Sequence, residues 1–122
     1  KIFFKGKYVT KNEKILLFSY ATLQDKNVQI ETFGRVLVGS PDNLLNYKLA
    51  ILEIKDPVVA TLSGKSYHPI AIFEQDAHIK GTVFEISDQE LTQSDAYEVD
   101  DYERVLAKMS SGMVAWAYVS AR

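Results

Sequence analysis

The chain has 122 residues, 47% of them hydrophobic and 25% charged, the make-up of one ordinary globular domain rather than a disordered segment. Its 14 basic and 16 acidic side chains leave a net charge of −2, which gives no general attraction to a phosphate backbone and argues against a nucleic-acid partner. Cysteine is absent, which excludes disulfides, thiolate catalysis and cysteine-ligated metal or iron–sulfur centres.

In chain order, residues 1–14 are lysine-rich and weakly patterned, and read as a short hairpin around Gly6 or an added strand. Ile15 to Tyr20 is a continuous apolar run, the mark of a buried strand. The loop Tyr20-Ala21-Thr22-Leu23 follows, and Asn27 to Phe33 reads as a short helix closed by Gly34. Arg35 to Val38 reads as a short strand stopped by turn chemistry at Gly39-Ser40-Pro41-Asp42. Tyr47, Leu49 and Ile51 alternate with Lys48 and Ala50, a strand with one wet face. Asp56-Pro57 punctuates it. Val58 to Leu62, Ile70 to Phe73 and Ile79 to Ile86 are further strand candidates, parted by Ser63-Gly64-Lys65 and Gln75-Asp76-Ala77. Ser87 with Glu90 forms a capping box, predicting a helix from Asp88 to about Ala96. Tyr102 to Met109 and Met113 to Val119 form a hairpin about the turn Ser110-Ser111-Gly112.

This inventory, about seven or eight strands and two short helices, lacks the strict strand–helix alternation of a doubly wound sheet. It predicts an α+β fold, a small mixed sheet curled towards a barrel. Nothing in the chain marks a linker or repeat, so residues 1–122 read as a single domain with its core at about 15–119. The apolar runs are far too short to span a bilayer, and Ile2-Phe3-Phe4 is too short for a signal sequence. The expectation is a cytoplasmic protein without a membrane partner, a monomer or a weak homodimer.

Phosphate-binding glycine loops and the nucleophile elbow of serine hydrolases are both missing. A zinc site would need both histidines, His68 and His78, with a carboxylate such as Asp76; a loop histidine and a strand-opening histidine account for them more simply, so no metal is expected. Trp116 and Tyr118, with Val114 on the same alternating face, suit a pocket wall or an oligomer contact, and suit ordinary packing better. Ser66, Tyr67 and His68 are candidates for a pocket mouth.

The acidic segment is the anomaly. Eight of the 16 acids fall between Glu85 and Glu103, with no Lys or Arg among them. A solvated helix face and an exposed loop are the usual fate of such a run. The sharper alternative turns one acid inward, where apolar neighbours such as Tyr97 and Val99 beside Glu98, and carboxylates nearby, raise its pKa towards neutral and suit it to moving protons.

Three segments together resemble a known family. Leu17-Phe18-Ser19-Tyr20-Ala21-Thr22-Leu23-Gln24 resembles the Tyr-Gly-Thr/Ser-Leu loop of the γ-glutamyl cyclotransferase-like family. Gly81-Thr82-Val83-Phe84-Glu85-Ile86 resembles its Gly-x-Val-Tyr/Phe-x-Val/Ile strand. Ser94-Asp95-Ala96-Tyr97-Glu98 with Tyr102-Glu103-Arg104-Val105 resembles its Leu-Asp-x-Tyr-Glu and Tyr-x-Arg segment. Order and spacing fit over roughly residues 15 to 119.

The resemblance implies a small α+β barrel-like fold and a ring closure that releases 5-oxoproline from a γ-glutamyl amine or γ-glutamyl amino acid, with no cofactor. It implies Glu98 as the general acid/base, and Tyr20, Ala21, Thr22, Leu23, Tyr102 and Arg104 as substrate-binding residues. The sequence departs from the family at Ala21, where the loop has glycine, and at Val99, where glycine often follows the acid. The alternative is a non-catalytic small-molecule-binding or protein-interaction domain on the same fold.

Overall fold

The structure, a computed structural model, describes residues 15–53, 67–98 and 101–121. The expected elements in residues 1–14 and at Val58–Leu62 lie outside them. Five strands and two α-helices follow in order: β1 (Ile15–Ser19), a 3-10 turn (Thr22–Gln24), α1 (Lys26–Phe33), β2 (Val38–Glu53), β3 (Tyr67–Ile86), α2 (Asp88–Tyr97), β4 (Tyr102–Lys108) and β5 (Val114–Ser120). They form one mixed sheet in the order β2-β3-β1-β5-β4. β1 lies at its centre, antiparallel to β3 (Phe18 opposite Val83) and parallel to β5 (Phe18 opposite Ala117). Among the described residues no helix is long and apolar enough to cross a membrane.

The expected α+β class and mixed sheet are present, and the sheet is open. It curls until its outer strands meet at one antiparallel bridge, Leu44 to Met109. A polar clasp holds that meeting point. The Ser110 N–H donates to the Asn43 carbonyl at 2.9 Å, and the Asp42 carboxylate accepts from the hydroxyls of Ser110 and Ser111 and from the Ser111 and Asn43 N–H groups. Burial raises the pKa of Asp42, but these donors outweigh it and hold the carboxyl below its ordinary range.

Two apolar layers explain why β1 reads as an unbroken hydrophobic run. Phe18 faces the inside of the curl, with Leu44, Ile79, Val83, Met109 and the small residues Ala71, Ala115 and Ala117. Leu17 faces the other way, towards Leu23, Leu37, Leu91 and the partly buried Val28 and Phe33 of α1. A strand buried on both faces needs apolar residues at every position. Gly81 is needed for the approach of β3 to β1, because a Cβ there would collide with the Ser19 carbonyl and the Phe18 ring.

Local chemistry fixes the helix ends. Asp25 caps α1 by accepting from the N–H groups of Asn27 and Val28, and Gly34 ends it at φ 79°. The Ser87–Glu90 capping box opens α2 as expected. Arg35 grips Glu90 with a two-pronged ion pair, Nε at 2.7 Å and Nη2 at 2.8 Å, which draws that carboxyl's pKa down.

The predicted turns at Gly39–Asp42 and Gln75–Ala77 correct differently. The first is not a turn: β2 runs through it, and Pro41 sits opposite Thr82. Among the described strands β2 lies at the edge of the sheet, where a residue without an N–H is tolerated. The second is a bulge inside β3. The register jumps from Leu45–His78 to Tyr47–Phe73, Asn46 and Asp76 take left-handed backbones at φ 66° and 68°, and the Asp76 N–H donates to Asn46 Oδ1. Of the short strand expected at Arg35–Val38 only Val38 belongs to β2, because Arg35 is drawn to Glu90 and the Leu37 N–H to Gln29; the other three predicted strands become parts of the two long ones.

Candidate active site

A cleft of about 280 Å³, counted to its open mouth, lies where the end of β1, the end of α2 and the start of β4 meet. Only about 20 Å³ of it is room for the centre of a water-sized molecule, so the cleft is narrow. Glu98, Tyr20, Ala21, Leu23 and Tyr102 line it, five of the residues singled out from the sequence, together with Phe18, Ser19 and Tyr118. Thr22 and Arg104 do not line it. The Thr22 hydroxyl is exposed and lies 2.6 Å from the Tyr97 hydroxyl. Arg104 donates from Nε to Asp95 Oδ1 at 2.9 Å and stacks on Trp116, its guanidinium carbon 4.2 Å from the ring centroid.

Glu98 is the residue at which α2 stops. Its N–H closes the last helical hydrogen bond, to Ser94, while its backbone is already extended at φ −75° and ψ 146°. This directs the side chain off the helix end and into the cleft. Among the described residues no group donates a hydrogen bond to its carboxylate. Burial, aided by the Asp95 carboxylate, pushes its pKa up to about 7. Val99, the other departure from the family, lies outside the described residues.

Tyrosines build the walls, and each is tied down. The Tyr20 hydroxyl donates to the Tyr118 carbonyl at 2.8 Å and accepts from the Ala71 N–H at 3.0 Å. The Tyr102 hydroxyl donates to the Pro69 carbonyl at 2.6 Å. The Tyr118 hydroxyl donates to Asp95 Oδ1 at 2.6 Å and lies 2.6 Å from the buried Ser94 Oγ. Burial keeps all three phenols above their ordinary pKa, so they remain neutral around Glu98.

The loop after β1 is held from below by Gln29, a fully buried amide on α1. Its Nε2 donates to the Leu23 carbonyl and its Oε1 accepts from the Leu37 N–H, both at 2.8 Å. Ala21 has φ −136°, so its Cβ carries no left-handed penalty where the family has glycine. Among the described residues, the N–H groups of Thr22 and Leu23 have no acceptor within the chain; they head the 3-10 turn, whose own bonds begin with Gln24 to Ala21.

Sequence reasoning offered Tyr118 as a pocket wall but preferred ordinary packing; in the structure it lines the cleft. Its alternation with Trp116 on β5 was the available signal, but which of the two meets the cleft depends on pairing with β1. Gln29 gave a fainter signal, one amide on a helix face otherwise marked by Val28 and Phe33. Ser66 and the side chains of Tyr67 and His68, the proposed mouth, lie outside what is described. Among the described residues no three metal-binding side chains gather.

The structure superposes on a solution structure from Arabidopsis thaliana with a TM-score of 0.72 at 21% identity, over 93% of this chain and 66% of the other. This chain therefore spans just under two thirds of that protein's length. An uncharacterized protein from Pyrococcus horikoshii gives a TM-score of 0.59 at 16% identity, covering 88% and 79%. A structure named gamma-glutamyl cyclotransferase gives 0.64 at 14% identity, covering 90% and 68%. At these identities the likeness is one of fold. No curated protein matches the sequence. The family described as gamma-glutamyl cyclotransferase, AIG2-like, matches residues 17–122, nearly the whole chain. The chain belongs to that AIG2-like gamma-glutamyl cyclotransferase family.

Proposed function

We propose that the protein is a cofactor-independent cyclotransferase acting on a small γ-glutamyl compound, with Glu98 as its general acid/base. The observation that carries the reading is Glu98 itself: a half-buried carboxyl in a cleft, with a pKa of about 7, poised between accepting and giving a proton. In the reaction the substrate's α-ammonium passes a proton to Glu98. The freed amine attacks the γ-carbonyl carbon, a new carbon–nitrogen bond closes the five-membered ring, and the bond to the leaving nitrogen breaks. Glu98 returns its proton to that nitrogen, then takes the second proton from the ring nitrogen and passes it to the departing amine, giving 5-oxoproline and an ammonium ion.

Attack within one molecule asks chiefly for a folded substrate. Good positioning contributes about 7 kcal/mol or more in favourable cases. The aromatic walls Tyr20, Tyr102 and Tyr118 would hold the substrate's chain. The free N–H groups of Thr22 and Leu23 are the proposed donors to its α-carboxylate, or to the oxyanion that forms at the γ-carbon. Thr22 thus contributes its backbone, while its side chain stays at the rim with Tyr97.

The test is a product assay. Purified protein is incubated with γ-glutamyl dipeptides and γ-glutamyl-amines, and 5-oxoproline is followed by mass spectrometry. Turnover by the wild type and none by Glu98→Gln is the expected result; a Glu98→Gln variant of full activity ends the assignment. The small cleft favours one rival, a non-catalytic binding domain, which predicts ligand binding by both proteins and product from neither.

A further inference from the structure

The acidic run between residues 85 and 103 resolves into separate tasks, and one of them reaches the cleft. Glu90 is taken up by Arg35 and by the capping box. Asp95 stands three residues before Glu98, the spacing that places two side chains on one side of a helix end. Its Oδ1 receives two donors, Arg104 Nε at 2.9 Å and the Tyr118 hydroxyl at 2.6 Å. Arg104 is in turn pinned over the Trp116 ring, and Tyr118 is both a cleft wall and a neighbour of the buried Ser94 Oγ.

We propose that Asp95, held in place by Arg104 and Tyr118, is a positioning residue that sets the proton affinity of Glu98 from behind the cleft wall. The inference deepens the acid/base reading of Glu98 and rests on it. Tyr20 just past β1, Tyr102 on β4 and Tyr118 on β5 line the cleft with Glu98, and Asp95 lies one turn back along α2, bonded to the Tyr118 hydroxyl. The three phenols are neutral, so Asp95 is the charged group that acts on Glu98 among the described residues. A fixed negative charge disfavours a second one nearby. Arg104 pairs with the same Asp95 oxygen that Tyr118 reaches, and its positive charge offsets part of that field. An ion pair as open to solvent as Arg104–Asp95, with side chains 26% and 40% exposed, contributes little to stability. Its geometry matters more for where it holds the charge.

The experiment is a 13C NMR titration of the full chain labelled at glutamate carboxyls, with the Glu98 signal assigned by its loss in Glu98→Gln. Asp95→Asn keeps the size of the side chain and an acceptor for Arg104. It should lower the Glu98 midpoint by about half a pH unit or more, the scale of one charge at i, i+3 spacing near a surface. Arg104→Gln should raise the midpoint. An unmoved or raised midpoint in Asp95→Asn overturns the proposal, and so does a fall in Arg104→Gln. Because the titration needs no turnover, the two readings fail separately. A midpoint that moves as expected in a protein without product keeps the pairing and loses the cyclotransferase. Product from a protein whose midpoint ignores Asp95 does the reverse.

Discussion

Glu98→Gln should make the protein more stable in alkaline solution and leave it unchanged in acid. The Glu98 carboxyl titrates at 4.5 in the unfolded chain and at about 7 in the folded one. The folded state therefore holds a proton that the unfolded state releases. The contribution of Glu98 to stability is greatest below pH 4.5, falls as pH rises from there to 7, and is flat above. Two and a half pH units at about 1.4 kcal/mol each set an upper bound of about 3–4 kcal/mol. Solvent at the cleft mouth screens the site, which brings the expected loss to about 1–2 kcal/mol. Glutamine carries no charge at any pH and escapes this loss. Urea denaturation of the two proteins at pH 4 and pH 8.5 measures it: the curves should nearly coincide at pH 4, and the variant should lead by about 1–2 kcal/mol at pH 8.5. A variant that is less stable at pH 8.5, or that leads equally at both, refutes the account of Glu98 as a carboxyl strained by burial and by Asp95.

Three further outcomes are expected. Asp42→Ala should cost about 2 kcal/mol by opening the clasp at the meeting of the outer strands, measured by urea midpoint at pH 7. Because the folded pKa of Asp42 is depressed, that contribution is present above its unfolded pKa and fades as pH falls through the folded one, so wild type and variant should converge in strong acid. Gly81→Ala should destabilise by about 1–3 kcal/mol through its collision with the Ser19 carbonyl, and thermal melting will show it; an unchanged Tm would mean that β1 and β3 do not approach as described. Tyr20→Phe leaves the Ala71 N–H and the Tyr118 carbonyl without the hydroxyl between them. It should cost about 1–3 kcal/mol in stability and lower kcat/KM for any γ-glutamyl substrate, with a full-rate variant showing that this wall is dispensable.

Where structure follows from neighbours in sequence, it was legible. The Ser87–Glu90 capping box, Gly34 after α1 and the turn before Met113 each announce an element boundary with local chemistry, and each stands where expected. Pro41 and Asp76 were misleading for one shared reason. Both residue types usually end strands, and here one sits on an open edge and the other in a bulge, features that exist only once the strands are paired. The cleft shows the same division. Tyr20, Ala21, Leu23, Glu98 and Tyr102 were marked by short motifs and do come together. Arg104 was marked by the same motif, yet Asp95 takes its guanidinium away from the cleft. That outcome depends on how the end of α2 sits against β4 and β5, which no short stretch of sequence encodes.

The parallel pairing of β1 with β5 also has a kinetic consequence. β1 is the first described strand and β5 the last, and the cleft takes Tyr20 from just past the one and Tyr118 from the other, 98 residues apart. The β2–β3 ribbon can form early from residues close in sequence, as can the β4–β5 hairpin. The central seam cannot form until β5 is available, because closing so long a loop must precede the contacts that reward it. During synthesis the apolar faces of β1 therefore wait, half-covered, until β5 leaves the ribosome. A chain broken off before β5 would lack the cleft and also expose the flank of β1, an unpaired strand edge prone to aggregation.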